Sequence, residues 1–316
     1  MNRIRANKAV VIAVFGVFLL AGSLAARDKY EEKFDRTEAL DRNGRVSLEN
    51  ISGTIEVRSW DKAEVRIDAL KVSKASSRDQ AKENAGLVRI EVVKEGGVLR
   101  IETKYPERRF RGNNLSVSVN YVLTIPDQAS LRVKNVSGDI DVQKIGGDLD
   151  IDEVSGGVRI AGAAKTVDCK TVSGGITLRG AGGAVSLKAV SGGIRAEDVK
   201  GSIEAETVSG GITLGNVREA SSVRAKTVSG GIDCETEILP SGRYSFDALS
   251  GGITLLLPAS AAFEVEAETF SGHIATDFPV VVSGKISPKE LRGTVGTGGA
   301  TVRIKSFSGR VEIRKK

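Results

Sequence analysis

One histidine, two cysteines and a recurring serine are the residues in this sequence whose types could support catalysis or metal binding. A Ser-His-Asp arrangement would need His273 beside a nucleophilic serine and a carboxylate. His273 instead replaces the second glycine of a Ser-Gly-Gly segment that recurs along the chain, so we interpret it as a turn substitution. Asp and Glu are interleaved with Lys and Arg, which does not favour the clustered carboxylates of a glycosidase.

Metal and cofactor sites are also not predicted. Calcium-binding nonapeptide rolls need a ligand Asp after Gly-Gly-x-Gly-x, whereas residues 174–179 read Gly-Gly-Ile-Thr-Leu-Arg. The sequence therefore predicts no catalytic residue, no metal and no cofactor.

The serines belong to an internal repeat of the form aliphatic-Ser-Gly-Gly-Ile, and such repeats indicate a stacked architecture. The first five serines are 18 residues apart, and the later spacings are 20, 21 and 21. An early copy lies at residues 51–55 and a last copy at residues 307–311. We predict that the repeat forms a structural turn ladder made of Ser137, Ser155, Ser173, Ser191, Ser209, Ser229, Ser250 and Ser271, with Gly174, Gly192 and Gly210 beside them. Glycine suits a corner that needs positive φ or close approach of neighbouring coils, and serine can hydrogen-bond a turn.

The spacing of apolar residues predicts the architecture. Counted from each serine as position zero, they fall at −1, +3, +5, +8, +12 and +14 in four consecutive coils. The pairs +3/+5 and +12/+14 show the two-residue period of a strand. We therefore predict an all-β, two-sided, β-helix-like solenoid with coils of about 18 residues, stacked about 4.8 Å apart.

This arrangement assigns a direction to individual side chains, because neighbours on a strand face opposite sides. The interior should receive Ile176, Leu178, Val185 and Leu187, while Thr177, Arg179, Ser186 and Lys188 face solvent. Val172, Val190 and Val208 should stack in one column. A left-handed hexapeptide helix has the same coil length, but position +11 holds Asp148, Thr166, Ala184 and Ser202 rather than aliphatic residues.

Cys169 and Cys234 occupy inward positions of the repeat. They lie about three to four coils apart, hence roughly 15 to 19 Å, whereas a disulfide needs Cα atoms within about 7 Å. We interpret both as small core residues.

Residues 26–130 form a less regular β-rich region before the solenoid of residues 131–316, with which it could be continuous. Strands are predicted at residues 44–57, 63–72, 88–93, 98–103 and 115–125, with Trp60 and Asp61 in a turn. Residues 77–88 predict a short helix behind Ser77. Arg108, Arg109 and Arg111 beside Phe110 are expected in a solvated loop.

The first 25 residues are typical of an export signal. Arg3, Arg5 and Lys8 precede an apolar run at residues 9–20, and a small-x-small site predicts cleavage after Ala25. The alternative is an uncleaved membrane anchor. Cleavage would lower the net charge from +6 to about +3, which gives little support for a nucleic-acid partner. We expect an exported protein of the periplasm or cell surface, with no transmembrane span in the mature chain.

The serial Val-Ser-Gly-Gly-Ile units, with residues 50–57, 122–126 and 293–300, resemble the bacterial putative-adhesin family of β-strand-repeat domains. That resemblance implies an exported all-β domain of largely unknown function and carries over no catalytic residues. Similar domains occur in exported envelope proteins and in stress-sensing membrane proteins.

The leading hypothesis is a non-catalytic cell-envelope scaffold or adhesin-like binding module, whose partner is an envelope protein, a glycan or another surface ligand. Two alternatives stay open, an envelope-stress-sensing domain that binds a partner and a carbohydrate-active β-helix enzyme.

Overall fold

Almost every described element is a β-strand, and buried and exposed side chains alternate along most of these strands. The computed structural model describes residues 28–106, 115–283 and 287–316. The expected export signal and the Arg108, Arg109, Phe110 and Arg111 loop lie outside the described residues.

The first part of the chain contains seven strands and one helix: β1 Asp28–Ala39, β2 Arg45–Glu49, β3 Ile55–Trp60, β4 Glu64–Ala75, α1 Arg78–Leu87, β5 Arg89–Glu95, β6 Val98–Lys104 and β7 Ser116–Pro126. The repeats contribute β8 Ser130–Ser137, β9 Ile140–Ile145, β10 Leu149–Ser155, β11 Val158–Ala163, β12 Val167–Ser173, β13 Ile176–Ala181, β14 Val185–Ser191, β15 Ile194–Val199, β16 Ile203–Ser209, β17 Ile212–Val217, β18 Ser222–Ser229, β19 Ile232–Thr236, β20 Arg243–Ser250 and β21 Ile253–Leu257. The last described strands are β22 Phe263–Ser271, β23 Ile274–Thr276, β24 Val281–Val282, β25 Glu290–Val295, β26 Ala300–Ser308 and β27 Val311–Lys315.

Within the described residues these strands form two long sheets, one of 13 strands and one of 14. Each repeat gives one strand to each sheet, and equivalent strands pair in parallel. Val185 of β14, for example, lies opposite Val167 of β12, one 18-residue coil earlier. The two-sided all-β solenoid predicted from the sequence is therefore confirmed.

The core lies between the two sheets and has the predicted composition. Ile176, Leu178, Val185 and Leu187 are all buried, and their strand neighbours Thr177, Arg179, Ser186 and Lys188 face outward with at least partial exposure. Val172, Val190 and Val208 lie on the paired strands β12, β14 and β16, as expected. However, the side chains of these three valines point outward, so position −1 differs from the other five apolar positions of the repeat, which are buried.

The early repeat copy stacks directly on the main solenoid. β2 pairs with β8 and β3 pairs with β9, and Ser52 bridges to Ser137. The stretch at residues 44–57 is therefore two strands separated by a corner. Trp60 ends β3 instead of lying in a turn, and its indole Nε1 donates to the Glu64 carbonyl at 2.8 Å.

Antiparallel strands and the helix cover the first end of the solenoid. β1, β4 and β7 extend the 13-stranded sheet, and the β5–β6 hairpin extends the other. The predicted helix is confirmed as α1, with the Ser77 side chain accepting a hydrogen bond from the Gln80 amide. β1 was not predicted, because this edge strand is mostly exposed and charged and so lacks a core-facing apolar pattern.

The opposite end breaks the sequential order of the coils. β26 lies between β20 and β22, and β27 lies between β21 and β23. The last repeat copy is therefore an interior layer of the stack. β25 and β24 then close the 14-stranded sheet in antiparallel orientation.

Candidate functional site

The eight predicted corner serines form a column along one edge of the rod, and all eight are exposed. Their backbone carbonyls link the coils, because each accepts a hydrogen bond from a corner glycine of the neighbouring coil. Gly192 N, for example, donates to Ser209 O at 2.8 Å. The structure thus brings the serines together at a corner whose backbone is hydrogen-bonded.

The corner glycines stack more closely than any other residue type would permit. Gly192 has a φ of +151°, and a Cβ built on it would lie 2.1 Å from the carbonyl oxygen of Gly174. The corresponding distance is 2.0 Å for Gly174 and 2.3 Å for Gly210. Backbone conformation and close approach therefore both require glycine at this position.

Side-chain hydrogen bonds at this corner come from the residue two places before the serine. Thr207 Oγ1 donates to Gly192 O at 2.9 Å, and Thr227 Oγ1 donates to Gly210 O at 3.0 Å. Thr269 and Ser306 make equivalent bonds to the glycine of a neighbouring coil. The sequence analysis did not identify this position, at which only half of the repeat copies carry Thr or Ser.

Neither the histidine nor the cysteines form a reactive group with their neighbours. His273 is exposed, and its carbonyl accepts a hydrogen bond from Val311 N at 3.0 Å. Cys169 and Cys234 are free and buried, on different sheets, as their repeat positions predicted. Burial raises the pKa of both thiols, which keeps them protonated and unreactive.

The outer face of the 14-stranded sheet carries an exposed column of apolar side chains, which we name the apolar ladder. It contains one residue from each coil at position −1, in the order Ile51, Val136, Val154, Val172, Val190, Val208, Val228, Leu249, Phe307 and Phe270. The exposed fraction is 49 % for Val172, Val190 and Val208 and reaches 67 % for Phe270. Scattered exposed apolar residues are ordinary, but a contiguous exposed patch marks an interaction surface.

Two shallow grooves follow the apolar ladder. One has a volume of about 670 Å³ and runs beside Val136, Val154, Val172 and Val190. The other has a volume of about 720 Å³ and contains the rings of Phe270 and Phe307, which stack with centroids 4.8 Å apart. The aromatic pair makes that end of the ladder its bulkiest part.

Charged residues at position −3 flank the ladder on its sheet side. Lys188 lies 3.5 Å from Glu206, and Lys305 lies 3.4 Å from Glu268, so neighbouring coils form ion pairs along the column. On its other side the ladder is bordered by the small serines and glycines of the corner. The apolar ladder is therefore bordered by charged side chains on one side and by the small serine and glycine residues of the corner on the other.

The floor of the first groove is polar. Asn50, Asn135, Glu153 and Thr171 follow one another there at position −2, and all four are buried. Asn135 Oδ1, Glu153 Oε2 and Thr171 Oγ1 have no hydrogen-bond partner among the described residues. Burial raises the pKa of Glu153, because desolvation disfavours its charged form.

Within residues 28–106, 115–283 and 287–316, no cluster of three or more His, Cys, Asp or Glu side chains is placed to hold a metal ion. In that same part of the chain no helix is long and apolar enough to cross a membrane.

The repeat, the two sheets and the glycine corner define a β-solenoid family. Residues 43–314 match the family model Toastrack DUF4097, and the chain belongs to this family.

Solved structures with a similar chain path include a putative adhesin from Bacteroides fragilis, which is 13 % identical with a TM-score of 0.41 and covers 89 % of this chain and 97 % of its own. A second is a putative lipid binding protein from Parabacteroides distasonis, 13 % identical with a TM-score of 0.44, covering 90 % of this chain and 96 % of its own. A third, a putative adhesin from the same organism, is 9 % identical with a TM-score of 0.33 and covers 89 % and 97 % of the two chains. A search of curated protein sequences finds no match.

Proposed function

We propose that this protein is a non-catalytic binding module of the bacterial cell envelope, exported by its first 25 residues, that works as a scaffold or adhesin-like surface. The apolar ladder is the observation that carries the proposal. Ten exposed apolar side chains in one column lower the solubility of a rod in isolation, and covering them with a partner gains free energy from apolar burial.

The solenoid architecture is better suited to binding a partner than to catalysing a reaction. Each coil contacts only its neighbours, so the stack presents a long regular face with the same residue types at each level. Several charged residues on that face are paired with opposite charges on adjacent coils, as Lys188 is with Glu206 and Lys305 is with Glu268. This arrangement gives an extended recognition surface.

Binding to isolated bacterial cell envelopes tests the proposal. The labelled exported protein should co-sediment with envelopes, and Val172→Glu with Val208→Glu should abolish most of that binding. The matched control is Thr177→Glu with Thr213→Glu, which places two charges on outward positions of the 13-stranded sheet with the same coil separation. The control should bind as the unmodified protein does.

Two results would contradict the proposal. One is equal envelope binding by the ladder variant and the control, since the ladder would then play no part. The other is turnover of a polysaccharide or ester substrate that a single-residue change abolishes, which would support the carbohydrate-active enzyme instead.

A further inference from the structure

We infer that the apolar ladder is the contact surface of an antiparallel homodimer, in which two copies of the rod lie face to face on the outer side of the 14-stranded sheet. The inference rests on the proposed binding role of this face and names its partner as a second copy of the chain. The support for this dimer comes from the charged residues at position −3, which lie beside the ladder.

The charged column at position −3 alternates in sign along almost its whole length. In sheet order it contains Glu49, Lys134, Asp152, Lys170, Lys188, Glu206, Lys226, Asp247, Lys305 and Glu268. The two adjacent residues of equal sign in this order are Lys170 and Lys188, near its middle. A column of this kind can be complementary to itself when one copy is reversed.

A two-fold axis parallel to the strands and passing over β14 places eight of the ten charged residues opposite an opposite charge, while Glu268 meets the level of Glu102 on β6. The axis places each ladder against the ladder of the other copy, with the rods antiparallel. Lys170 then faces Glu206, Asp152 faces Lys226, Lys134 faces Asp247 and Glu49 faces Lys305. Lys188 meets its own copy on the axis, where Glu206 lies 3.5 Å away in the same chain to offset the repulsion.

Other arrangements of two rods lose these charge pairs, oppose like charges or overlap less of the ladder. A parallel pair about an axis along the ladder reverses the strand direction in one copy, so each charged column faces the serine and glycine margin of the other copy and gains no opposite charge. Moving the axis to a point between β14 and β16 pairs Lys170 with Lys226 and Asp152 with Asp247. Like charges placed directly opposite one another are unfavourable, so they select against this shifted register. An axis over β12 keeps opposite charges together but overlaps seven ladder residues instead of nine.

The ladder also pairs well about the β14 axis. Val190 meets Val190, Val172 meets Val208, Val154 meets Val228, and Val136 meets Leu249. The serine and glycine margin carries no bulky side chain that would hold the faces apart. Nine coils overlap, which gives a strip about 38 Å long and about 13 Å wide. Such a strip buries about 1,000 Å² in total, near the lower limit of specific interfaces, so the dimer is weak and reversible.

Single-cysteine cross-linking of the full exported chain tests the arrangement, because the native cysteines are buried. Under mild oxidation Val190→Cys should form a disulfide-linked dimer, since this position lies on the axis. Val136→Cys should stay monomeric alone, because its two copies would be about 29 Å apart. A mixture of Val136→Cys and Leu249→Cys should cross-link. The control is Thr177→Cys, which is exposed on the opposite sheet.

A charge exchange tests the register independently. Asp152→Lys or Lys226→Asp alone should raise the dissociation constant, measured by sedimentation velocity, by at least about fivefold. The double variant should restore the dimer to near its original affinity, because the two residues exchange roles across the axis. Val190→Glu should raise the dissociation constant by at least about tenfold.

The inference is overturned if the protein stays monomeric at all concentrations, or if Val190→Cys cross-links no faster than Thr177→Cys. Equal self-cross-linking of Val136→Cys and Val190→Cys would show a parallel pair and would also overturn it. These results are separable from the proposed function. A monomeric chain that still binds envelopes through the ladder keeps that function, whereas a dimer with no envelope binding loses it.

Discussion

At the scale of single residues, the corner glycines and one buried glutamate carry the strongest physical constraints. The sequence identifies the glycines because a sharp corner restricts residue type at a fixed position of each repeat. It does not identify the polar floor made by Asn50, Asn135, Glu153 and Thr171, because three different residue types occupy one position and no repeat is visible.

Gly192→Val should lower the free energy of unfolding by more than about 1 kcal/mol, because valine tolerates neither the positive φ nor the 2.1 Å approach to the Gly174 carbonyl. Thermal or urea denaturation measures this. Gly211→Val is the matched control, since a Cβ there lies at an ordinary 3.5 Å from its nearest atom. Equal melting temperatures for the two variants would show that the corner does not depend on glycine.

Glu153 should make the protein less stable as pH rises. Its folded-state pKa is raised by burial, so the folded chain holds this proton more tightly than the unfolded chain. The stabilising contribution is complete below the ordinary glutamate pKa and is lost as pH rises through the raised value. Glu153→Gln should remove this dependence and be more stable than the unmodified protein at neutral pH.

Urea midpoints measured from acidic to neutral pH test the effect of Glu153. The outer-face variant Glu206→Gln is the control. A pH profile unchanged by Glu153→Gln would mean that the folded and unfolded chains bind this proton equally tightly, so that burial does not raise the pKa of Glu153.

At the scale of elements, the two-residue period predicts the strands and their inward faces well. The same period could have predicted the apolar ladder. Positions +12, +14 and −2 are two apart and face inward, so position −1 must face outward on the same strand. By residue type alone, an aliphatic residue at position −1 resembles a core residue. Only its place in the two-residue alternation shows that it faces solvent, so the composition of the repeat did not reveal the apolar ladder.

Burial on these strands predicts unequal mutational effects. Ile176→Ala or Leu187→Ala should lower the free energy of unfolding by roughly 2–5 kcal/mol, through lost burial and a cavity. Lys188→Ala should change it by no more than about 0.5 kcal/mol, because its ion pairs are exposed. Denaturant titration compares all three. Comparable losses for Lys188→Ala and Leu187→Ala would contradict the assigned facing.

At the scale of the whole molecule, the order of the coils is the feature that sequence periodicity could not supply. The copies of the motif are alike, so the motif itself does not specify the order of the coils. The spacing along the chain predicts only that each coil stacks on the one before it. The position of β26 between β20 and β22 depends on contacts between distant segments. The division at residue 130 stays a prediction, and both sheets continue across it through the pairs β2–β8 and β3–β9.

Because β26 lies between β20 and β22, a destabilising substitution in β26 should affect the coils on both sides of it. Ile304 is fully buried, and Ile304→Ala should lower the free energy of unfolding by about 2–5 kcal/mol. Amide hydrogen exchange should accelerate in both the 243–257 and the 263–276 segments, while residues 131–199 keep their protection. Faster exchange confined to the 300–315 segment would contradict this stacking.

The same intercalated layer has a consequence for the order in which the chain can assemble. During synthesis, residues 243–257 and 263–276 emerge before residues 300–315, yet the later segment must lie between them. If the two earlier coils paired directly, they would form a plausible but wrong contact, because their serine motifs are interchangeable. The gap between these two coils must therefore stay open or reopen until the later segment arrives, and this makes the closing of that end the step of folding most open to error.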